Sequence, residues 1–103
     1  MFTPRYQNEQ TDRLIEALLA LDNAEEAYRF LEDVLTIQEM KSITQRLEVA
    51  VMLRAKATYQ EIVRETGAST TTIGRVNRAL QYGADGYKMI LDRLADERAK
   101  QKE

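Results

Sequence analysis

The sequence contains no cysteine and no histidine, and these two absences exclude most catalytic and metal chemistry. Without cysteine the chain has neither a disulfide nor a thiolate nucleophile. Without histidine it lacks the commonest general base, the imidazole metal ligand and every Ser-His or Cys-His pair. The carboxylates of the first half fall among other charges on predicted helix surfaces, where solvation is expected. We therefore expect neither an enzyme nor a metal site, and no catalytic residue is assigned.

Long apolar runs are also missing from the sequence. Residues 1–5 hold no stretch suited to a signal peptide, and no segment approaches the roughly 18 apolar residues of a membrane span. With the lack of cysteine, this favours a cytoplasmic location and no membrane partner. A length of 103 residues with 44% hydrophobic content predicts one globular domain, residues 1–103. A chain this short buries only about two-thirds of its unfolded surface, so a partner subunit would help.

Acidic and basic residues are unevenly distributed along the chain, whose net charge is −2. Residues 1–53 hold five Lys/Arg and ten Asp/Glu, a net charge of −5. Residues 54–88 hold six basic and three acidic residues, a net charge of +3. An acidic half keeps non-specific nucleic-acid binding weak, while the basic stretch can contact phosphate.

The basic stretch contains the pattern of a helix-turn-helix at residues 58–80. Thr58 with Glu61 three residues later forms a capping box. Gly67 stands where a chain leaving a helix turns left-handed, and Ser69 can cap the next helix. The short turn has the spacing of a DNA-binding helix-turn-helix. The alternative is that two packed helices are joined in the same way without any role in DNA binding.

The second helix of this motif has an apolar stripe, formed by Ile73, Val76 and Leu80, and an opposite polar face. No carboxylate occurs from residue 66 to residue 84. Short hydroxyls, a bare backbone and two guanidinium groups can enter a major groove, touch base edges and hold phosphates. We call the polar face of this helix the recognition face; it consists of Thr70, Thr71, Gly74, Arg75 and Arg78.

Helical periodicity elsewhere predicts an all-α fold of about six helices, with no strand signal. The last helix is expected at residues 84–98. The expected caps are Thr11 or Asp12 for the first helix, Asp22 with Glu25 for the second, Thr36 with Glu39 for the third and Asp85 for the last.

The third predicted helix, residues 37–55, points to a dimer. Its segment 49–53 is apolar on all sides, so it must be covered from several directions. Short helices of one chain offer little cover, and residues 1–57 are therefore expected to be the dimerisation helices of an intimate homodimer. The alternative is a plain core helix inside a monomer.

Over roughly residues 31–94 the chain resembles the Trp repressor family. The resemblance lies in ETGA at 65–68, TTIGR at 71–75, and RL at 46–47 with MLR at 52–54. It implies an intertwined all-helical homodimer whose two helix-turn-helices meet successive major grooves of double-stranded DNA. It also implies a sequence-specific transcriptional regulator, a repressor. A helical protein–protein interaction module without DNA binding is the alternative, and the acidic first half would suit it.

The resemblance assigns DNA contacts to positions on both helices of the motif. Beyond the recognition face these are Tyr59 and Gln60. Arg78 is expected to contact phosphate. One family lysine is replaced here by Val63, which removes one phosphate contact.

The family also binds tryptophan between its central and recognition helices, and its pocket maps to Arg46, Thr72, Arg75 and Val76. The family has glycine where this chain has Val76, and its second pocket arginine falls near Gln45 or Arg46. A stiff valine would either occupy the indole's space or turn inward. We therefore expect no cofactor and no binding of free tryptophan, while an unidentified small-molecule effector stays open.

Overall fold

The computed structural model describes residues 1–101 and contains, within them, six α-helices and no strand. The all-α prediction is thereby confirmed. The helices are α1 (Glu9–Leu19), α2 (Ala24–Val34), α3 (Ile37–Arg54), α4 (Tyr59–Thr66), α5 (Thr70–Tyr82) and α6 (Gly86–Gln101). None of these helices is long and apolar enough to cross a membrane. The chain divides into two compact units, one ending at Met40 and the next beginning at Lys41, so the boundary falls inside α3.

The first helix begins earlier than predicted, at an asparagine cap. Asn8 Oδ1 accepts a hydrogen bond of 2.9 Å from the Thr11 backbone N–H, and Thr11 Oγ1 accepts one of 2.8 Å from the Asn8 N–H. Thr11 is therefore the third helical residue and the partner of the cap, and Asp12 lies inside the helix. Local propensity cannot choose between neighbouring Asn, Thr and Asp, because all three are good caps.

The second helix shows the same kind of shift, by one residue. Its cap is Asn23, whose Oδ1 accepts a 3.0 Å bond from the Glu26 N–H, and not Asp22 with Glu25 as predicted. The Asp22 backbone N–H instead donates to Glu26 Oε1 at 2.9 Å. The sequence contains two overlapping capping boxes here, and side-chain geometry decides between them.

Neither α1 nor α2 contains a buried residue, although each has an apolar side. On α1, Ile15 is 51% exposed and Leu19 is 80% exposed. On α2, Tyr28 and Val34 are also exposed. Within residues 1–101, these apolar side chains of α1 and α2 are thus exposed.

The start of α3 is as predicted, whereas its end is not. The Thr36 N–H donates to Glu39 Oε1 at 2.9 Å, and the Glu39 N–H donates to Thr36 Oγ1 at 3.1 Å, which completes the predicted capping box. Hydrogen bonding to the Glu39 carboxylate by the Thr36 backbone N–H, and then by the Thr36 side chain, lowers the pKa of Glu39. At the other end Lys56 takes φ +67, and the Lys56 and Ala57 N–H groups close the helix on earlier carbonyls. This is a Schellman ending with lysine at the position that glycine usually takes.

The second unit has a small core built from α3, α4 and α5. Its buried residues are Val49, Ala50, Ile62, Ala68, Ile73 and Val76. Leu80 packs against them, so the apolar stripe predicted for α5 faces inward. On α3, however, Ile43, Leu47 and Val51 lie at i, i+4 and i+8 and stay 49%, 38% and 41% exposed. One turn-spaced apolar stripe of α3 is therefore only about half covered within residues 1–101.

The last helix joins α3 through a charged contact. Arg54 Nη2 lies 2.6 Å from Asp92 Oδ1, and Arg54 Nη1 donates to the Lys88 carbonyl at 3.3 Å. The helix starts at Gly86, after Asp85 at φ +63, whose backbone carbonyl accepts from the Met89 N–H at 2.9 Å. It extends to Gln101, three residues beyond the predicted end at residue 98.

Candidate nucleic-acid interface

The turn between α4 and α5 has the conformation that its sequence predicts. The Thr58–Glu61 capping box starts α4, and Gly67 ends it at φ +72, a region that glycine enters without steric cost. Thr66 braces the same turn, because its hydroxyl donates to the Ile62 carbonyl at 2.7 Å and accepts from the Ala68 N–H at 3.1 Å. These bonds fix the direction in which the chain enters α5.

The start of α5 is fixed by Ser69. Its Oγ accepts from the Thr72 backbone N–H at 3.1 Å, and its hydroxyl donates to Thr72 Oγ1 at 3.1 Å. The Thr72 hydroxyl is thus used in the cap. Thr70 and Thr71, the first two residues of α5, leave their side chains exposed.

The recognition face lies opposite the buried side of α5. Arg75 and Arg78 are exposed with the two threonines, while Ile73 and Val76 are buried behind them. Gly74 is partly buried, and no heavy atom lies within 4 Å of the place where a Cβ would stand. The face is therefore flat at its centre, with hydroxyls at the helix start and guanidinium groups further along.

The charges of the recognition face are not neutralised within the described chain. Among residues 1–101 three ion pairs form, and neither Arg75 nor Arg78 takes part in any of them. Arg54 pairs with Asp92, and Arg64 lies 3.7 Å from Glu65. The two α5 arginines thus keep their charge available for an anion.

The two candidate residues of α4, Tyr59 and Gln60, occupy its first turn and are both exposed. Tyr59 Oη accepts a 3.3 Å hydrogen bond from Asn77 Nδ2 on α5, and Asn77 Oδ1 accepts one of 3.2 Å from Gln81 Nε2. Sequence reasoning missed Asn77 and Gln81. Their i, i+4 spacing is visible in the sequence, but the bond to α4 requires the fold.

The four candidate effector residues differ in their surroundings. Arg46 lines an open cavity of about 500 Å³ with apolar residues of α3 and α6, and the described lining contains none of Thr72, Arg75 and Val76. Val76 is 3% exposed within the core, so its side chain points inward.

Gln45, the other position considered for the family's second arginine, has a different role. Its Nε2 donates to the Thr66 carbonyl at 3.1 Å, between residues 21 apart in the sequence. This bond ties α3 directly to the turn of the helix-turn-helix.

Comparison with known proteins agrees with this geometry. The family model described as Trp repressor protein matches residues 9–95. YerC of Bacillus subtilis (strain 168), itself described as uncharacterized, is 50% identical over 92 residues, which are 89% of this chain and 88% of YerC.

Two solved structures have the same fold. A TrpR like protein from Eubacterium eligens is 50% identical, with a TM-score of 0.84 over 86% of this chain and 92% of its own. A Staphylococcus aureus protein of known crystal structure is 48% identical, with a TM-score of 0.83 over 86% and 89% of the two chains. The six helices of residues 1–101, the helix-turn-helix among them and these matches lead to one assignment: the chain belongs to the Trp repressor family of helix-turn-helix DNA-binding regulators.

Proposed function

We propose that this protein is a sequence-specific DNA-binding repressor of transcription, which acts as a homodimer on a two-fold symmetric operator. The observation that carries the proposal is the recognition face, exposed on a helix whose start and turn are fixed by Ser69 and Gly67. Thr70, Thr71 and Gly74 would contact base edges, and Arg78 would hold a phosphate. Arg75 would likewise contact a DNA phosphate.

Exposed apolar surface supports the dimer. The α3 stripe of Ile43, Leu47 and Val51 and the apolar side of α1 would leave large hydrophobic patches in contact with water in a lone chain. A second copy would cover them, and a symmetric pair would present two recognition faces. The two-fold symmetry then predicts a palindromic site, with half-sites about one helical turn apart as is usual for helix-turn-helix dimers.

Selection of bound duplexes from a random-sequence pool tests the DNA proposal, and we expect a palindromic site. Arg78→Ala should weaken all duplexes about equally and lower the salt slope by about one per subunit. Arg13→Ala removes the same charge from α1 and should leave the slope unchanged. If Arg78→Ala changed base preference at constant slope, its assignment to phosphate would be wrong. Transcription in vitro from a promoter that carries the selected site should fall as protein is added.

Sedimentation at micromolar concentration tests the dimer. Val51→Asp should abolish the dimer together with the fold, because an unpaired charge in a covered apolar contact is costly. Val63→Asp is the matched control, since Val51 and Val63 are 41% and 38% exposed in the single chain but lie on different helices. A wild-type protein that sediments as a stable helical monomer would contradict the proposed dimer. Equal effects of Val51→Asp and Val63→Asp on dimerisation would also contradict it.

We further propose that free tryptophan is not the effector. Val76 fills core space beside Ile73, and the Gln45–Thr66 bond already joins α3 to the turn. Calorimetry with L-tryptophan should show no saturable heat. Saturable binding of L-tryptophan at tens of micromolar, together with tighter DNA binding, would contradict the proposal about tryptophan and leave the DNA-binding proposal intact.

A protein–protein interaction module remains the second candidate, favoured by the net charge of −5 on residues 1–53 and by the exposed apolar side of α1. The same selection experiment separates the two, because failure to enrich any symmetric site would favour the protein-binding module.

A further inference from the structure

A short chain of side-chain hydrogen bonds crosses from α5 to α4 at the edge of the recognition face. Gln81 Nε2 donates to Asn77 Oδ1 at 3.2 Å, and Asn77 Nδ2 donates to Tyr59 Oη at 3.3 Å. Residues 77 and 81 lie one turn apart on α5, so the Gln81 amide holds the orientation of the Asn77 amide. The Asn77 oxygen is used by Gln81, and its amino group therefore faces Tyr59.

This arrangement determines where the proton of the Tyr59 hydroxyl can go. A phenol has one O–H donor, and its oxygen already accepts from Asn77. Within residues 1–101 that proton has no hydrogen-bond acceptor, while the Tyr59 residue is 41% exposed. The hydroxyl thus points a free donor at solvent, and the bonds behind it polarise it in the donating sense.

The position of Tyr59 indicates what accepts this proton. Tyr59 is the first residue of α4, and the first helix of a helix-turn-helix crosses the DNA backbone while the second enters the groove. Asn77 stands directly before Arg78 on α5, beside the recognition face. A donor at this edge would meet phosphate oxygens, which only accept hydrogen bonds.

We propose that Tyr59 donates its hydroxyl proton to a DNA phosphate, and that Asn77, held by Gln81, is the positioning residue that aims it. The inference rests on the proposed DNA-binding function and adds a neutral phosphate contact. A phosphate contact carries no sequence information, so it should appear on every duplex. A neutral donor releases no counterion, so it should contribute to affinity without contributing to the salt slope.

Equilibrium binding of the full chain to the selected site and to a mixed-sequence duplex tests this. Tyr59→Phe keeps the ring and should weaken both complexes about ten- to a hundredfold, the effect of one hydrogen bond to a charged group, at an unchanged salt slope. Tyr28→Phe on α2 is the matched control, an exposed tyrosine of the first unit, and should leave affinity unchanged. Circular dichroism and melting show that each variant is folded.

A double-mutant cycle separates positioning from a merely structural role. Asn77→Leu should weaken binding by a smaller factor, and it should add nothing once Tyr59→Phe is present, because the two residues act as one unit. Should Asn77→Leu fail to fold, Gln81→Leu takes its place, since Gln81 is exposed and orients the same amide.

The outcomes distinguish this inference from the proposed function. If the wild type binds DNA and Tyr59→Phe binds equally well, the phosphate contact is wrong and the DNA-binding proposal stands. Additive losses in the cycle would show that Asn77 does not act through Tyr59. Absence of wild-type binding to every duplex at low salt would overturn both proposals.

Discussion

Gly74→Ala should make the protein more stable and the DNA complex weaker. Gly74 lies in the interior of α5, and an added Cβ would have no heavy atom within 4 Å. Alanine is favoured over glycine inside a helix by about 0.8–1 kcal/mol. With no clash to offset this gain, the free energy of unfolding should rise by about 1 kcal/mol, which corresponds to about 4–8 °C in melting temperature for a domain of this size.

The same methyl group would stand at the centre of the recognition face. If DNA approaches the bare backbone there, the methyl must enter a close-packed contact, and overfilling such a contact typically costs ~1–3 kcal/mol. The selected site should therefore lose about one to two decades of affinity. A mixed-sequence duplex should lose less, because its contacts are mainly to phosphate.

Urea unfolding and equilibrium DNA binding measure the two effects on the same variant. Gly83→Ala is the matched control for stability, because a Cβ at Gly83 would lie 2.4 Å from the Ala79 carbonyl oxygen and something must shift. That variant should lose stability, opposite in sign to Gly74→Ala. Unchanged affinity of Gly74→Ala for the selected site would refute a close backbone approach at residue 74. A lower free energy of unfolding for Gly74→Ala would show that residue 74 has no room for a Cβ.

Three further predictions concern the scaffold. Lys56→Gly should raise the free energy of unfolding by about 1 kcal/mol, since glycine adopts the φ of +67 without the strain of a Cβ, and chemical denaturation measures it. Val76→Ala should lower it by about 2 kcal/mol by emptying core space, and unchanged stability would mean that Val76 is not a core residue. Thr36→Ala removes the hydroxyl but keeps the backbone N–H that donates to Glu39, so the pKa of Glu39 should rise only part of the way toward its ordinary value, as an NMR titration would show. Because folding lowers this pKa, the wild-type contribution is present above the unfolded pKa and is lost as pH falls through the folded pKa, and the variant should show a weaker acid-range dependence.

Turn chemistry made the helix-turn-helix predictable from sequence. Gly67, Ser69 and the Thr58–Glu61 pair each satisfy free backbone groups at a helix end through contacts close in sequence. The structure contains all three of these helix ends as predicted. The apolar stripe of α5 was predictable for a similar reason, because its period leaves one face for the core.

Helix boundaries and contacts between distant residues could not be predicted from local sequence alone. Asn8 and Asn23 became caps in the place of neighbouring residues with equal propensity. The ending of α3 at Lys56 has no glycine to reveal it. The Asn77–Tyr59 and Gln45–Thr66 bonds join residues 18 and 21 apart, so only the packed helices bring them together.

The number of basic residues in the sequence also differs from the number that the structure leaves unpaired, and this difference affects DNA binding. The count of six basic residues in 54–88 overstates what can reach phosphate, because Arg54 is held by Asp92 and the Lys88 carbonyl on α6. Arg64 lies near Glu65, so the charge that stays uncompensated on the helix-turn-helix is concentrated in Arg75 and Arg78. Two cations per subunit supply limited non-specific attraction, and the acidic first half reduces it further. Tight binding would then require base contacts and neutral donors in addition to charge, which favours a protein that discriminates between sequences over one that coats DNA.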